Sequence, residues 1–240
     1  MVAALALVGG LYAGFAPAAS AEETHTPDAA QGKGYFDQSC SSCHGSAGQG
    51  VPGRGPSLVG VGSAAVEFQV STGRMPLARQ EAQADRKKPL FTDEQAQDIG
   101  AYIQSLGGGP TIPQGTNLGQ NGDLSNGGRL FRENCVQCHQ FAANGGALSS
   151  GKFAPSIRAN DRQIYGAMVS GPQNMPVFGD NELTPQEKAD IIAYIDMLKS
   201  EQDPGGWGIG RIGPVSEGLA IFLVGMVALI ISALWIAGKS

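Results

Sequence analysis

"SCSSCHGS" at residues 39–46 and "NCVQCHQF" at residues 134–141 together contain all 4 cysteines of the 240-residue chain. In both stretches two residues separate the cysteines and a histidine follows at once, although the chain has only 3 histidines. Two disulfides, one zinc site or a redox dithiol would each use such cysteines, but none of them requires the histidine. Cys-x-x-Cys-His is the attachment sequence of c-type haem, so the two stretches predict two covalently bound haems.

The order of residues in this motif gives each of them a role. The two thiols add across the two vinyl groups of the porphyrin, which leaves the next residue on the haem face, where it can bind iron. We therefore expect cysteine thioethers and proximal histidines at Cys40, Cys43 and His44 in the first motif and at Cys135, Cys138 and His139 in the second.

Both motifs belong to a longer internal repeat. A glycine and a phenylalanine stand eight and four residues before the first cysteine of each motif, as Gly32 and Phe36 and again as Gly127 and Phe131. The matching segments downstream are "GRGPSL" (53–58) with "KFAPSI" (152–157), "VSTGRMP" (70–76) with "VSGPQNMP" (169–176), and "FTDEQAQDIGAYIQSL" (91–106) with "LTPQEKADIIAYIDML" (183–198). The repeat predicts two tandem copies of one domain, at residues 30–108 and 127–201.

The last segment of each copy has the features of an amphipathic helix. Thr92 with Gln95, and Thr184 with Glu187, fit the capping box, and Pro185 fits the first helical position. Apolar side chains follow at i, i+3, i+4 and i+7 in both copies: Ile99, Tyr102, Ile103 and Leu106, then Ile191, Tyr194, Ile195 and Leu198. These patterns predict one amphipathic helix at the end of each copy. Residues 109–126 and 202–217, rich in glycine and proline, have the composition of linkers.

The repeat also selects the second ligand of each iron. Aligning the Val-Ser pairs places Met75-Pro76 opposite Met175-Pro176, whereas Met168 falls opposite Gln69. We therefore expect Met75 and Met175 to be the methionine ligands. Met168 and Met197 suit the alternative role of filling a gap in a core.

Two prolines follow the haem motifs at matching positions. A metal-binding histidine usually donates its other ring N–H to an acceptor that fixes the ring. The carbonyls of Pro56 and Pro155 are suitable acceptors, because proline stiffens the loop while its carbonyl stays free. The alternative is that both prolines are simply turn residues.

The two ends of the chain are apolar. Residues 218–238 contain no charged side chain and are long enough to cross a bilayer as a helix. Residues 1–21 end in the small-residue pattern of a signal cleavage site but have no Lys or Arg before the apolar run. We favour a retained N-terminal membrane anchor over a cleaved signal. In either case the two domains between are exported, at the extracytoplasmic side of the cell membrane.

The charge of the chain excludes one class of partner. With 16 basic and 21 acidic side chains the net charge is −5, and no basic stripe is present, so we expect no nucleic-acid binding. An acidic surface suits a basic protein partner.

Residues 30–200 resemble two class I cytochrome c domains in tandem, and the resemblance implies an all-α fold. The glycine and phenylalanine before Cys-x-x-Cys-His, the Pro-Ser segment after it, the Met-Pro pair and the helix with Ala-Tyr-Ile carry the resemblance. The family's fold would cross the first helix over the last, with Gly32 against the face of Tyr102 and Gly127 against that of Tyr194.

Two such domains followed by "PGGWGIGRIGPVSEG" (204–218) and a membrane helix resemble the dihaem cytochrome c subunits of actinobacterial cytochrome bcc complexes. The resemblance implies a cytochrome b subunit, a Rieske iron–sulfur subunit and the copper-bearing subunit of a terminal haem-copper oxidase as partners. The implied function is electron transfer from menaquinol oxidation to that oxidase in aerobic respiration, within a translocase. The chain itself would have no substrate-turnover site.

Two alternatives have different consequences. A cytochrome subunit of another periplasmic dehydrogenase or oxidase would use the same carrier chemistry. A dihaem peroxidase-like enzyme would need an open iron position with acid–base groups beside it, and the spare histidine of the chain is His25.

Overall fold

The computed structural model describes residues 25–79, 81, 83–200 and 214–238, and most of them are helical. The first copy contains helices α1 (Ala29–Ser39), α2 (Ser41–His44), α3 (Ser63–Ser71) and α4 (Asp93–Ser105). The second contains α5 (Leu124–Asn134), α6 (Val136–His139), α7 (Asp161–Ser170) and α8 (Pro185–Ser200). The predicted N-terminal anchor at residues 1–21, and most of the predicted linker at residues 202–217, lie outside the described residues.

The second copy departs from the all-α expectation in one loop. Strand β1 (Gly146–Ala147) pairs antiparallel with β2 (Phe153–Ala154), in the register Gly146 with Ala154 and Ala147 with Phe153. The first copy has a single bridge, between Val51 and Gly55, in its shorter loop. Both pairings lie between the haem motif and the following proline. They satisfy backbone groups where the chain reverses direction, and the fold is therefore mostly rather than entirely helical.

Each copy is built on a close crossing of its first and last helices. A Cβ added to Gly32 of α1 would lie 1.8 Å from the carbonyl oxygen of Asp98 in α4, and one added to Gly127 of α5 would lie 1.9 Å from that of Asp190 in α8. No residue other than glycine fits this contact, which brings one backbone directly against another.

The partner of these glycines differs from the expectation. The glycines face the backbone at the aspartates, one helical turn before the tyrosines named above. Tyr102 instead packs on Phe36, with ring centroids 5.2 Å apart, and Tyr194 packs on Phe131 at 5.5 Å. The crossing point has no room for a ring, so each tyrosine lies one turn further along, where a phenylalanine fills the widening gap.

A buried carboxylate secures each crossing. Asp98 and Asp190 are both only 3% exposed. Asp98 accepts the backbone N–H of Asp28, the N-cap of α1, at 2.7 Å, and Asp190 accepts that of Asp123, the N-cap of α5, at 2.8 Å. The negative charge therefore lies beside a helix N-terminus, where it is favourable. His25 Nε2 lies 2.8 Å from the carboxylate of Asp98 and takes part in this cluster.

The last helix of each copy begins as predicted. Thr92 and Gln95 form a reciprocal capping box at the start of α4. At the start of α8 the Thr184 N–H donates to Glu187 Oε2 at 2.8 Å, and the Glu187 N–H donates to Thr184 Oγ1 at 3.3 Å. The isoleucines of both apolar stripes are buried in the two cores. The sequence pattern is confirmed for these helices.

The two copies pack through α3 and α7. A Cβ on Gly166 of α7 would lie 3.1 Å from the Ala64 carbonyl oxygen of α3, so these helices are also close. Arg162 and Glu67 form an ion pair at 2.6 Å in the interface. The Gln163 amide donates to the Ser71 carbonyl at 3.3 Å and to its hydroxyl at 3.2 Å. The interface between the domains thus contains specific polar contacts, which fix how α3 packs on α7.

The connection between the copies lies along this interface. Ile112 is buried in the core of the second copy. Arg162 donates to the carbonyls of Pro113 and Gly115, at 2.8 and 3.0 Å. The sequence of residues 109–126 lacks helical periodicity, and the described residues between α4 and α5 form no helix. The segment nevertheless makes specific contacts with the second domain.

The chain ends in one long apolar helix, α9 (Pro214–Ala237). Its residues Val215–Ala237 have a mean hydropathy of 2.8, and none of that stretch is buried within the protein. The helix begins four residues before the predicted start. Proline is favourable at a first helical position and Glu217 is favourable in a first turn. By length and composition, α9 can cross a membrane.

The glycine crossing can be tested with two alanine substitutions in the same helix. Gly32→Ala forces a methyl group into the backbone of α4, and we expect it to lower the free energy of unfolding by about 3 kcal/mol or more. A Cβ at Gly34 meets nothing within 4 Å. Gly34→Ala should therefore raise the free energy of unfolding by up to about 1 kcal/mol through helix propensity. Guanidinium denaturation followed by circular dichroism measures both, and equal effects would contradict the crossing.

The buried carboxylate of Asp190 predicts that the free energy of unfolding decreases at acidic pH. Burial alone would raise the pKa of Asp190, but hydrogen bonds from Asn126, Asp123 and Gln186 hold the pKa below its usual value. The ionised carboxylate therefore stabilises the fold fully above about pH 4, and this contribution is lost as the pH falls through the lowered pKa. Asp190→Asn should cost about 1.5–3 kcal/mol at pH 7 and flatten the acid limb of the stability curve.

The control for this substitution is Glu133→Gln, which removes an exposed carboxylate paired with Arg129 at 2.7 Å. Its effect should stay within about 0.5 kcal/mol. Urea denaturation at several pH values compares the two variants. An Asp190→Asn variant with an unchanged acid limb would contradict the role given to this carboxylate.

Candidate functional site

The haem motif of each copy forms one helical turn directly after the crossing helix. The backbone N–H of His44 donates to the Cys40 carbonyl at 3.0 Å, and that of His139 donates to the Cys135 carbonyl at 2.9 Å. The two cysteines of a motif are thus at i and i+3, on one side of the turn. Phe36 and Phe131, four residues before the first cysteine of each motif, are fully buried and anchor the end of the crossing helix in the core. The position of each motif therefore follows from the helix crossing.

The four thiols are unpaired and differ in exposure. Cys40 and Cys135 are half-buried, whereas Cys43 and Cys138 are exposed. Burial, with a smaller contribution from the neighbouring cysteine, raises the pKa of Cys40 to about 11 and that of Cys135 to about 12. Among the described residues no three His, Cys, Asp or Glu side chains are grouped as a metal site. Within the described part of the chain, the two Cys-x-x-Cys pairs thus do not come together in one cluster.

Both histidine rings are oriented by a proline carbonyl. His44 Nδ1 lies 2.8 Å from the Pro56 oxygen, and His139 Nδ1 lies 2.9 Å from the Pro155 oxygen. Nδ1 donates in this contact, because a carbonyl only accepts. Burial lowers the pKa of His139 despite the opposing effect of its bond to Pro155. A neutral imidazole that donates through Nδ1 leaves Nε2 without a proton, which is the form that binds a metal.

The two Met-Pro methionines follow α3 and α7. Met75 is half-buried against the core of the first copy, and Met175 is half-buried against that of the second. Their backbone N–H groups donate to the carbonyls of Gln69 at 2.9 Å and Pro172 at 3.1 Å, which fixes both loops. Met168 is a buried member of the second core on α7. Its burial suits the packing role, but it also lines a cleft together with Met175 and His139.

In the second copy the predicted site residues share one cleft. Cys135, Cys138, His139 and Met175 line a space of about 1380 Å³ that is partly open to solvent. Most other lining side chains are apolar, including Leu148, Ile157, Ile164, Phe178, Ile191 and Ile195. Ser156 also lines the cleft, and its buried hydroxyl has no hydrogen-bond partner among the residues that the structure describes. A large apolar group with polar edges fits these walls, as haem does.

The first copy supplies residues to this cleft that the sequence did not identify. Phe68, Thr72, Arg74, Gln83 and Arg86 line it from the other domain. One signal was available: the "GRMP" of the first copy has an arginine where the second copy has "QNMP". The position of the aspartates at 98 and 190, matched in the aligned helices, could likewise have indicated the buried caps.

Comparisons with known proteins divide the chain into the same two copies as the internal repeat. Residues 29–107 match the family model "Cytochrome c", and residues 122–195 match "Cytochrome C oxidase, cbb3-type, subunit III". The chain is 51% identical to the "Cytochrome bc1 complex cytochrome c subunit" of Mycobacterium tuberculosis, over 100% of this chain and 89% of that protein. It is 46% identical to the protein of the same description from Corynebacterium diphtheriae, over 94% of this chain and 86% of that protein.

The chain belongs to the family of these cytochrome c subunits. A protein of the same description from Mycobacterium leprae is 51% identical, again over the whole chain, with 86% of that protein covered. The similarity therefore includes both cytochrome c domains and the apolar helix α9. Two cytochrome c domains imply c-type haem and a role in electron transport.

Proposed function

We propose that the chain is a membrane-anchored dihaem cytochrome c that passes electrons from the Rieske and cytochrome b subunits of a menaquinol-oxidising bcc complex to the copper-bearing subunit of a terminal haem-copper oxidase. The observation that carries the proposal is the cleft where Cys135, Cys138, His139 and Met175 meet. The full-length similarity to cytochrome c subunits named for a bc1 complex supports the assembly.

The residues proposed to hold the two haems have different roles. Cys40 and Cys43, and Cys135 and Cys138, would form the thioether bonds. His44 with Met75, and His139 with Met175, would bind the two irons, while the Pro56 and Pro155 carbonyls fix the histidine rings. Bound haem supplies one-electron redox chemistry, and a methionine ligand favours the reduced state and so a high potential. A histidine and a methionine bound to each iron would leave no position there for a substrate.

This arrangement favours a carrier over a peroxidase-like enzyme. Such an enzyme needs a free acid–base group beside an open iron position. His25, the histidine outside the motifs, contacts the buried Asp98 at a helix N-terminus and forms part of the fold. The chain thus contributes to catalysis as the electron-carrier subunit of a larger reductase. With α9 in the membrane, the two domains lie at its extracytoplasmic side, where c-type haem is attached.

The ligand assignment predicts a different result for each methionine. Met75→Leu and Met175→Leu should each remove the weak near-infrared sulfur-to-iron band of one haem, about half of its intensity, and lower that haem's potential. Met168→Leu should change neither. Absorption spectroscopy with spectroelectrochemistry measures these effects, and the mass of the denatured chain should show two attached haems in every variant. Loss of the band in Met168→Leu, with retention in Met175→Leu, would show that the repeat is aligned wrongly.

The proposed assembly predicts respiration without a mobile carrier. A tether keeps the haem domains at a high effective concentration near their partners. The complex purified through this chain in mild detergent should contain the quinol-oxidising and oxidase subunits. It should also consume oxygen with menaquinol and no added soluble cytochrome c.

The control is a protease site introduced after Asp203, whose cleavage separates both haem domains from α9. Oxygen consumption should then fall on dilution, because the domains can leave. Activity that requires added soluble cytochrome c in the intact assembly, or undiminished activity of the cleaved assembly at high dilution, would contradict direct transfer.

A further inference from the structure

Arg74 of the first copy is a buried cation that has no anionic partner among the described residues. Its side chain is 8% exposed, and its guanidinium lies 4.8 Å from the ring centroid of Phe68. Within the described ranges it donates no side-chain hydrogen bond and forms no ion pair. Burying a charge without a partner costs on the order of several kcal/mol. The burial of Arg74 therefore points to an anion beside it.

Arg74 is held in place by the backbone around it. The Thr72 N–H donates to the Phe68 carbonyl at 3.2 Å, and the Lys87 N–H donates to the Thr72 carbonyl at 3.3 Å. Gly73 between them has a φ of +69°, and a Cβ there would lie 2.2 Å from the Lys87 oxygen. The turn therefore presents Arg74 in one direction at the end of α3, beside the domain interface.

The cleft that Arg74 lines is the haem cleft of the second copy. Arg86 lines it too and donates to the Arg158 carbonyl at 2.7 Å, and Lys152 lines it from the second domain. No Asp or Glu occurs among the described residues that form its walls. Three cations and no carboxylate thus line a space whose other walls are apolar or neutral polar side chains.

The anion that fits belongs to the group proposed for this cleft. Haem carries two carboxylates on one edge, and its remaining surface is apolar. The guanidinium has five N–H donors in a planar fork that matches a carboxylate with two parallel hydrogen bonds. Ser156 of the opposite domain lines the same cleft, and its hydroxyl, which has no partner in the described part of the chain, is a further donor.

We propose that Arg74, supported by Arg86, binds the carboxylates of the haem attached at Cys135 and Cys138, so that the first domain completes the haem site of the second. The inference rests on the proposed attachment of haem at these cysteines. Arg74 is a positioning residue, since it contacts the edge of the group and not the iron. The close packing of α3 on α7 at Gly166 then has a functional reason, because it places the arginine at the neighbouring haem.

The test compares three substitutions in the full-length haem protein. Arg74→Gln removes the cation, Arg74→Lys keeps the charge without the fork, and Arg79→Gln removes an 82% exposed cation from the same loop. Spectroelectrochemistry gives both haem potentials, which the Met75→Leu and Met175→Leu variants assign. Arg74→Gln should lower the potential of the second haem more than that of the first, because a nearby cation favours the reduced haem. Arg74→Lys should restore most of this shift, and Arg79→Gln should produce none.

The outcomes separate this inference from the proposed function. A shift confined to the first haem would assign Arg74 to the haem of its own domain, and two attached haems with unchanged potentials would show that it binds neither. Either result overturns the inference and leaves the carrier function standing, whereas an unmodified chain without haem at Cys135 and Cys138 would overturn the function itself. If Arg74→Gln does not fold by circular dichroism, Arg86→Gln replaces it. This variant should also lower the second potential, and an unchanged potential would overturn the inference.

Discussion

The direct contact between two helix backbones at Gly32, and again at Gly127, is the constraint on which each domain depends. The contact fixes the crossing of the first and last helices, and a buried aspartate then holds the N-terminus of the crossing helix. The haem motif begins one residue after the crossing helix ends. Its position therefore follows from a contact eight residues earlier, and any side chain at the glycine would displace the cysteines as well as the core.

A domain of this size has a small apolar core, and small domains usually need an additional covalent or metal link. The second copy shows where such a link fits, because the cleft beside Cys135 and Met175 is walled by the same isoleucines that form the core of α8. Covalently bound haem would complete this core. Structure and redox chemistry would then use one set of contacts, so that loss of the haem would weaken the fold.

The pairing of the two domains shapes the second site. The Arg162 ion pair and the Gln163 hydrogen bonds fix how α3 packs on α7. The segment that connects the domains buries Ile112 beside this interface. One wall of the second cleft consequently belongs to the first domain. A repeat of two similar units has thereby produced two unequal environments. An electron carrier gains from this difference, since unequal environments can give its two centres different potentials.

The sequence by itself determined the parts of this protein that depend on local order. Cys-x-x-Cys-His, the capping boxes and the apolar stripe through Ile99 and Ile103 use residues a few positions apart, so their chemistry can be inferred from spacing. The repeat added the two Met-Pro pairs and the two domains. The glycines were also visible, but the backbone they contact was not, because a contact between helices that are distant in sequence leaves no periodic pattern.

Only the tertiary structure decided which groups from different segments meet. It placed Asp98 and Asp190 beneath helix N-termini, brought His25 to one of them, and packed the linker against both domains. It also brought Arg74 into the cleft of the other domain. In the sequence this arginine is one charged residue in a loop. Its burial and its surroundings depend on the docking of α3 and α7, a contact between domains that no short stretch of sequence encodes.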